Sequence, residues 1–135
     1  MVDWSKDWIS SKTVAKQRKY SYNAPLHIRQ KFMGVHLSLE LRKKYGRRSI
    51  TVRKGDTVKI LRGQFSKKSG KVTDMELKRS KVYVEGAEHI KKDGSKTPYP
   101  INPSNLIITN LILDDKKRKE KLSVKENKKE SKKNG

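Results

Sequence analysis

The chain has 135 residues, room for one small domain with extensions, and its 35 Lys and Arg against 14 Asp and Glu give a formal net charge of +21. Hydrophobic residues make up only 32%, so part of the chain lacks the apolar surface for a core of its own and is expected to order on a partner. Self-repulsion on this scale is relieved by a polyanion; the absence of cysteine excludes disulfides and cysteine-held metals, and no apolar run nears the roughly 20 residues of a membrane span.

In chain order, the opening "MVDWSKDWIS" lacks the basic and apolar regions of a secretory signal, and a cytosolic, reducing setting is expected. Trp4 and Trp8, at i and i+4, read as anchors of the N-terminal arm on a surface. Residues 1–50 carry 12 cations and 3 anions, residues 51–113 carry 13 and 6, and residues 114–135 carry 10 and 5. The first segment is the most one-sided, so residues 1–49 are expected to form a basic extension with short helices. Within it, Tyr20 and Tyr22 lie among cations in "KQRKYSYNAP". An aromatic ring so placed either stacks on an unpaired base or packs against the folded body.

Helical expectation is confined to residues 23–45. Pro25 suits a first helical position ahead of "LHIRQKFM", and Gly34 interrupts. Ser38 then caps "LELRKKYG", where Leu37, Leu41 and Tyr45 share a face and Gly46 ends the helix.

Residues 50–113 read as β structure. A short strand is expected near Ile50 to Arg53, and Val58 and Ile60 alternate with polar residues in "DTVKIL". In "KVTDMELK" the apolar parity slips after Val72 onto Thr73, Met75 and Leu77, the mark of a β-bulge. "KVYVEG" points Val82 and Val84 inward, while "NLIITNLIL" is apolar on both parities and should be covered on both faces. Together these strands suggest a mainly β fold, a small five-stranded barrel. The Gly63–Gly70 loop should be a tight reversal whose glycines can take positive φ, with Gly70 having either positive φ or a backbone too close to its partner to admit a Cβ. "KKDGSKTPYPINPSN" should protrude, with Pro98, Pro100 and Pro103 outside any ladder. Residues 114–135 form a low-complexity charged tail, expected to be disordered or a fraying helix.

Little in this chain suggests catalysis. His27, His36 and His89 are too scattered for a local metal site, and Asp114 and Asp115 read as charge-compensating or strand-ending residues. No glycine-rich phosphate loop precedes a helix, and no nucleophile stands beside a base, so no enzyme, cofactor or small-molecule substrate is expected. The cations carry more information. Lys59 falls outside the core-facing parity, Arg62 follows the strand, the hairpin adds Lys67, Lys68 and Lys71, and no Asp or Glu occurs between Thr57 and Thr73. Unbalanced charge of one sign is favourable beside phosphate, where each contact also releases counterions.

"RKGDTVKILRGQFSKKSGKV" followed by "KVYVEG" resembles a KOW motif, a strand–loop–strand carried on small SH3-like barrels. Together with "NAPLHIRQKFMGVHLSLELRKKYGRRSITVRKGD" before it and "INPSNLIITNLILDD" after it, the text is similar to the archaeal and eukaryotic branch of the universal large-subunit ribosomal protein twenty-four family. The similarity spans roughly residues 15–119. It departs from the family at the loop tip, where an extra glycine is common and this chain has Ser66 and Lys67.

The resemblance implies an SH3-like barrel and a cytoplasmic place in the large ribosomal subunit. It also implies binding to the 5′ region of large-subunit rRNA early in assembly, near the nascent-chain tunnel exit, with ribosomal proteins as neighbours. Matched onto this sequence, it implies rRNA contacts at Lys54, Lys59, Arg62, Lys67, Lys68 and Lys71. In the extension it implies contacts at Lys16, Arg18, Lys19, Arg29, Lys31, Arg42, Arg47 and Arg48. Gly55, Gly63 and Gly70 would be structural. Two other readings compete: a transcription-associated KOW protein, which calls for a partner domain, and a DNA-packaging barrel, which calls for intercalating apolar residues on an exposed sheet.

Overall fold

The computed structural model describes residues 4–123. Among these residues, eight strands and four α-helices form a small mixed α/β fold dominated by strands. After a 3₁₀ turn at Lys6–Ser10 come α1 (Val14–Asn23), α2 (Leu26–Phe32), β1 (Gly34–Leu37) and α3 (Leu39–Tyr45). The strands β2 (Ser49–Thr51), β3 (Thr57–Ile60), β4 (Ser69–Glu76), β5 (Lys81–Val84), β6 (Glu88–Ile90), β7 (Lys96–Pro98) and β8 (Leu106–Asn110) follow. Residues 116–123 form α4.

Six strands make one sheet in the order β2-β1-β8-β3-β4-β5, and β6 and β7 form a separate hairpin. The expected five-stranded barrel is therefore corrected in two respects. Two extra strands, β6 and β7, come from the start of the proline-rich excursion and the residues leading into it. A third comes from "GVHL", whose four residues sit between helical patterns and are too few to display alternation. Among the described residues no ladder joins β2 to β5, so the sheet is not closed by strand pairing.

The helix ends follow their local chemistry. Ser38 accepts a hydrogen bond from the Leu41 N–H and caps α3, and Gly46 terminates it at φ 61°, a left-handed conformation that costs glycine little. Pro25 is the residue before α2 rather than its first helical position. α1 lies largely outside the helical expectation, because its ten residues carry no apolar stripe and bury only Tyr20.

The core is made of β-face residues: Val58 and Ile60 from β3, Val72 from β4, Val82 and Val84 from β5, Leu106 and Ile108 from β8. Met33, Val35 and Leu37 join them at 0% exposure, so the segment read as a basic extension also supplies a central strand. β1 lies antiparallel to β2, with Val35 opposite Ile50, and parallel to β8, with His36 opposite Ile107. The slip after Val72 appears as a register shift between Val72 and Asp74. Pro98 does enter a ladder, opposite Glu88, but on a two-stranded hairpin where its missing N–H leaves no central strand unpaired.

Arg118 and Asp56 tie α4 to the sheet. Both are buried, and the guanidinium grips the carboxylate with two bonds, Nη1 to Oδ1 at 2.8 Å and Nη2 to Oδ2 at 2.6 Å. Asp56 also accepts from the Arg53 and Ile112 N–H groups, while Arg118 donates to the Ile112 and Thr51 carbonyls. Leu122, one helical turn on, is 2% exposed. The charged tail thus begins as structure, and the rest of that expectation, on residues 124–135, lies outside the described residues.

Candidate nucleic-acid interface

The β3–β4 hairpin carries its cations away from the core. Lys59 is opposite Ser69 on β4 and opposite Ile107 on β8, and Ile107 in turn faces His36 across β1. Lys71 is opposite Thr57, two residues along the same face, so Lys59 and Lys71 are diagonal neighbours on one outer surface. Arg62, Lys67 and Lys68 are exposed at the tip. Among the described residues Lys59, Arg62, Lys67 and Lys71 form no ion pair, while Lys68 lies over the Phe65 ring at 5.2 Å. Phe65 itself packs on Tyr99 at 5.1 Å, which pins the tip to the β7 exit.

Two backbone features shape that tip. The chain reverses through Gly63 at φ 98° and Lys67 at φ 71°, and Lys67 N–H bonds the Ile60 carbonyl at 2.8 Å. Lys67 thus occupies the left-handed position in the stretch where the family often has glycine. Of the two reasons expected for glycine at position 70, the structure shows the second, since its φ is not positive. Gly70 is needed for close approach: a Cβ there would stand inside the contact distance of the Glu85 carbonyl oxygen and 3.0 Å from Val84 Cγ1. Gly55 turns at φ 89° just before Asp56.

Lys54 differs from its neighbours. It pairs with Asp74 at 2.7 Å, and that hydrogen bond holds the Asp74 carboxyl below its ordinary pKa. Both side chains are exposed, so the pair is a weak competitor for phosphate.

The N-terminal cations divide into exposed and engaged. Lys16, Arg18 and Lys19 lie on α1 and, like Lys31 and Arg48, have solvent-facing cationic ends, with Lys19 lying 4.8 Å over the Trp8 ring. Arg29 spends its guanidinium on backbone carbonyls: Nε donates to Ala24, Nη1 to Lys78 and Nη2 to Tyr22. Arg42 Nε donates to the Leu37 carbonyl at 2.7 Å. Arg47 is half-buried, and its Nε has no partner among the described residues. The structural duties of Arg29 and Arg42 are invisible in the sequence, since a carbonyl acceptor leaves no side-chain signature.

The tyrosine pair separates cleanly. Tyr20 is buried, its ring 5.3 Å from Trp4 and 5.8 Å from Phe32, and its carbonyl accepts from the Trp4 indole. Tyr22 is 79% exposed. Among the described residues no cluster of His, Cys, Asp or Glu could hold a metal ion, and no helix is long and apolar enough to cross a membrane.

These features define a class: a small, strongly basic, strand-rich protein whose unpaired cationic hairpin suits a polyanion. Residues 11–125 match the family described as the eukaryotic ribosomal proteins L26 and their archaeal counterparts, and the chain belongs to that family, on its archaeal branch. It is 50% identical over 115 residues to the large ribosomal subunit protein uL24 of Methanosphaera stadtmanae, a match covering 85% of this chain and 98% of that protein. It is 51% identical over 108 residues to the large ribosomal subunit protein uL24 of Methanothrix thermoacetophila, covering 80% and 93%. The family is one of structural proteins of the ribosome, not of enzymes.

Proposed function

We propose that the chain is a cytoplasmic, structural constituent of the large ribosomal subunit that binds large-subunit rRNA. The observation that carries this reading is the outer face of the β3–β4 hairpin between Lys59 and Lys71, a stretch without Asp or Glu, where Lys59, Arg62, Lys67 and Lys71 have no ion-pair partner among the described residues. Cations left unpaired on a folded surface are repelled by one another, and phosphate removes that repulsion. Membership of a ribosomal protein family supplies the phosphate-rich partner.

In this reading β3 to β5, with the return of β8 beside β3 and the Val82–Ile101 bridge, act as a small SH3-like barrel carrying a KOW motif. Lys54, Lys59, Arg62, Lys67, Lys68 and Lys71 contact rRNA from the motif. Lys16, Arg18, Lys19, Lys31, Arg47 and Arg48 contact it from the extension, while Arg29 and Arg42 act there chiefly by holding backbone. Binding falls in the 5′ region of the rRNA, early in assembly and near the tunnel exit, as the family resemblance implies.

Sedimentation tests the reading. In a lysate of cells expressing the tagged chain, the protein should travel with large subunits and leave them only at high salt. Sedimentation with free polymerase, or with DNA after ribosomes are removed, would overturn it.

A further inference from the structure

α1, α2 and the β4–β5 turn enclose an open groove of about 1190 Å³. This exceeds the roughly 300–1,000 Å³ of enclosed small-molecule pockets and suits a segment of a polymer. Val14 and Phe32 give it apolar walls, and the exposed Tyr22 stands on its lining with no hydrogen bond or ring contact to its side chain among the described residues. Arg18 from α1 and Lys78 and Arg79 from the turn also line it. Arg79 meets Glu76 at 3.4 Å, whereas the side chains of Arg18 and Lys78 have no ion pair among the described residues.

Arg29 sets the spacing of the two sides. One guanidinium holds the Tyr22 and Ala24 carbonyls at the end of α1 and the Lys78 carbonyl in the turn. The backbone segments that carry Tyr22 and Lys78 are therefore held relative to each other before any ligand arrives, which lowers part of the ordering cost of binding.

We infer that this groove binds an unpaired stretch of RNA, with a base stacked on Tyr22 and the adjoining phosphates between Arg18 and the Lys78–Arg79 pair. The inference rests on the RNA-binding reading above and adds a specific place where single-stranded rather than helical RNA is held. A free aromatic ring sharing one groove with several cations matches a base with its adjoining phosphates. An apolar protein segment would cover the walls but leave Arg18 and Lys78 facing no charge.

The test uses the full chain with two probes, hexa-adenylate and a blunt, G·C-rich RNA duplex long enough to stay paired under the assay conditions. Tyr22→Ala should weaken hexa-adenylate binding by about five- to a hundred-fold, the range of one lost base–aromatic stack, while leaving duplex binding within about two-fold. Tyr22→Phe, which keeps the ring, should bind hexa-adenylate nearly as the parent does. In the parent chain, the Val14 methyl resonances should shift on adding hexa-adenylate and stay in place on adding duplex. Equal losses on both probes, an unchanged affinity for hexa-adenylate, or shifts confined to the β3–β4 hairpin would each overturn the groove assignment. If the parent binds an rRNA fragment but not hexa-adenylate, the groove inference fails and the rRNA reading stands. If it binds no RNA at all, both fail.

Discussion

Lys67 is held at φ 71°, a backbone region that costs a side-chain-bearing residue about 1–2 kcal/mol. Lys67→Gly relieves that cost, less the greater freedom glycine brings to the unfolded chain, so thermal unfolding should show a gain of about 0.5–1 kcal/mol. The same substitution removes a cation from the tip, so RNA affinity should fall and its salt slope become shallower by about one unit. Opposite signs in the two measurements would separate contact from frame at a single residue; a gain in both would remove Lys67 from the interface. Gly70→Val should behave differently. Its side chain would drive into the Glu85 carbonyl, a backbone atom that cannot swing aside, and the expected loss is about 1–3 kcal/mol in denaturant unfolding. At this scale much was legible: Ser38 and Gly46 follow from short-range capping rules, and Gly70 could be read as a close-approach glycine, although the carbonyl it approaches lies just past the end of the next strand. Arg29 was not, because charge marks a residue as basic without saying whether phosphate or carbonyl receives its donors.

Elements were legible where their period showed. Val58 and Ile60, Val82 and Val84, and the slip after Val72 all appear as read, since one face of each strand is buried and the other is not. α1 and β1 escaped for opposite reasons: α1 buries almost nothing, and β1 is too short for alternation to register. α4 was legible only as one of two alternatives for the tail, because composition hid what anchors it. Arg118 and Leu122 lie one turn apart on the face that meets the sheet, but among so many lysines neither stands out. Their importance is testable. Arg118→Ala leaves Asp56 buried without its cation, and breaking such a pair costs about 3–5 kcal/mol. Denaturant unfolding of Arg118→Ala and Asp56→Asn should show losses of that order. A surface substitution such as Lys119→Ala should stay within about 0.5 kcal/mol. If Arg118→Ala were as harmless as Lys119→Ala, the ion pair would not hold α4 in place.

Over the whole molecule, a net charge of +21 was legible from composition, but its geometry was not. Folding sorts the cations. Some pair with the protein's own carboxylates, Arg53 with Asp115 at the surface and Arg118 with Asp56 in the interior, and the buried pair ties α4 to the sheet. Others, on the outer face of the β3–β4 hairpin and along α1, have no ion-pair partner among the described residues, and these make up most of the cations assigned to rRNA. The most direct test is the affinity of the full chain for a fragment from the 5′ region of large-subunit rRNA, titrated over a series of salt concentrations. If about eight phosphates are neutralised, the log–log slope should be roughly −5 to −7, and shallower by about one to two units when Lys67 and Lys68 are both alanine. A slope near zero, or one the double substitution leaves unchanged, would contradict the assignment of this surface to phosphate.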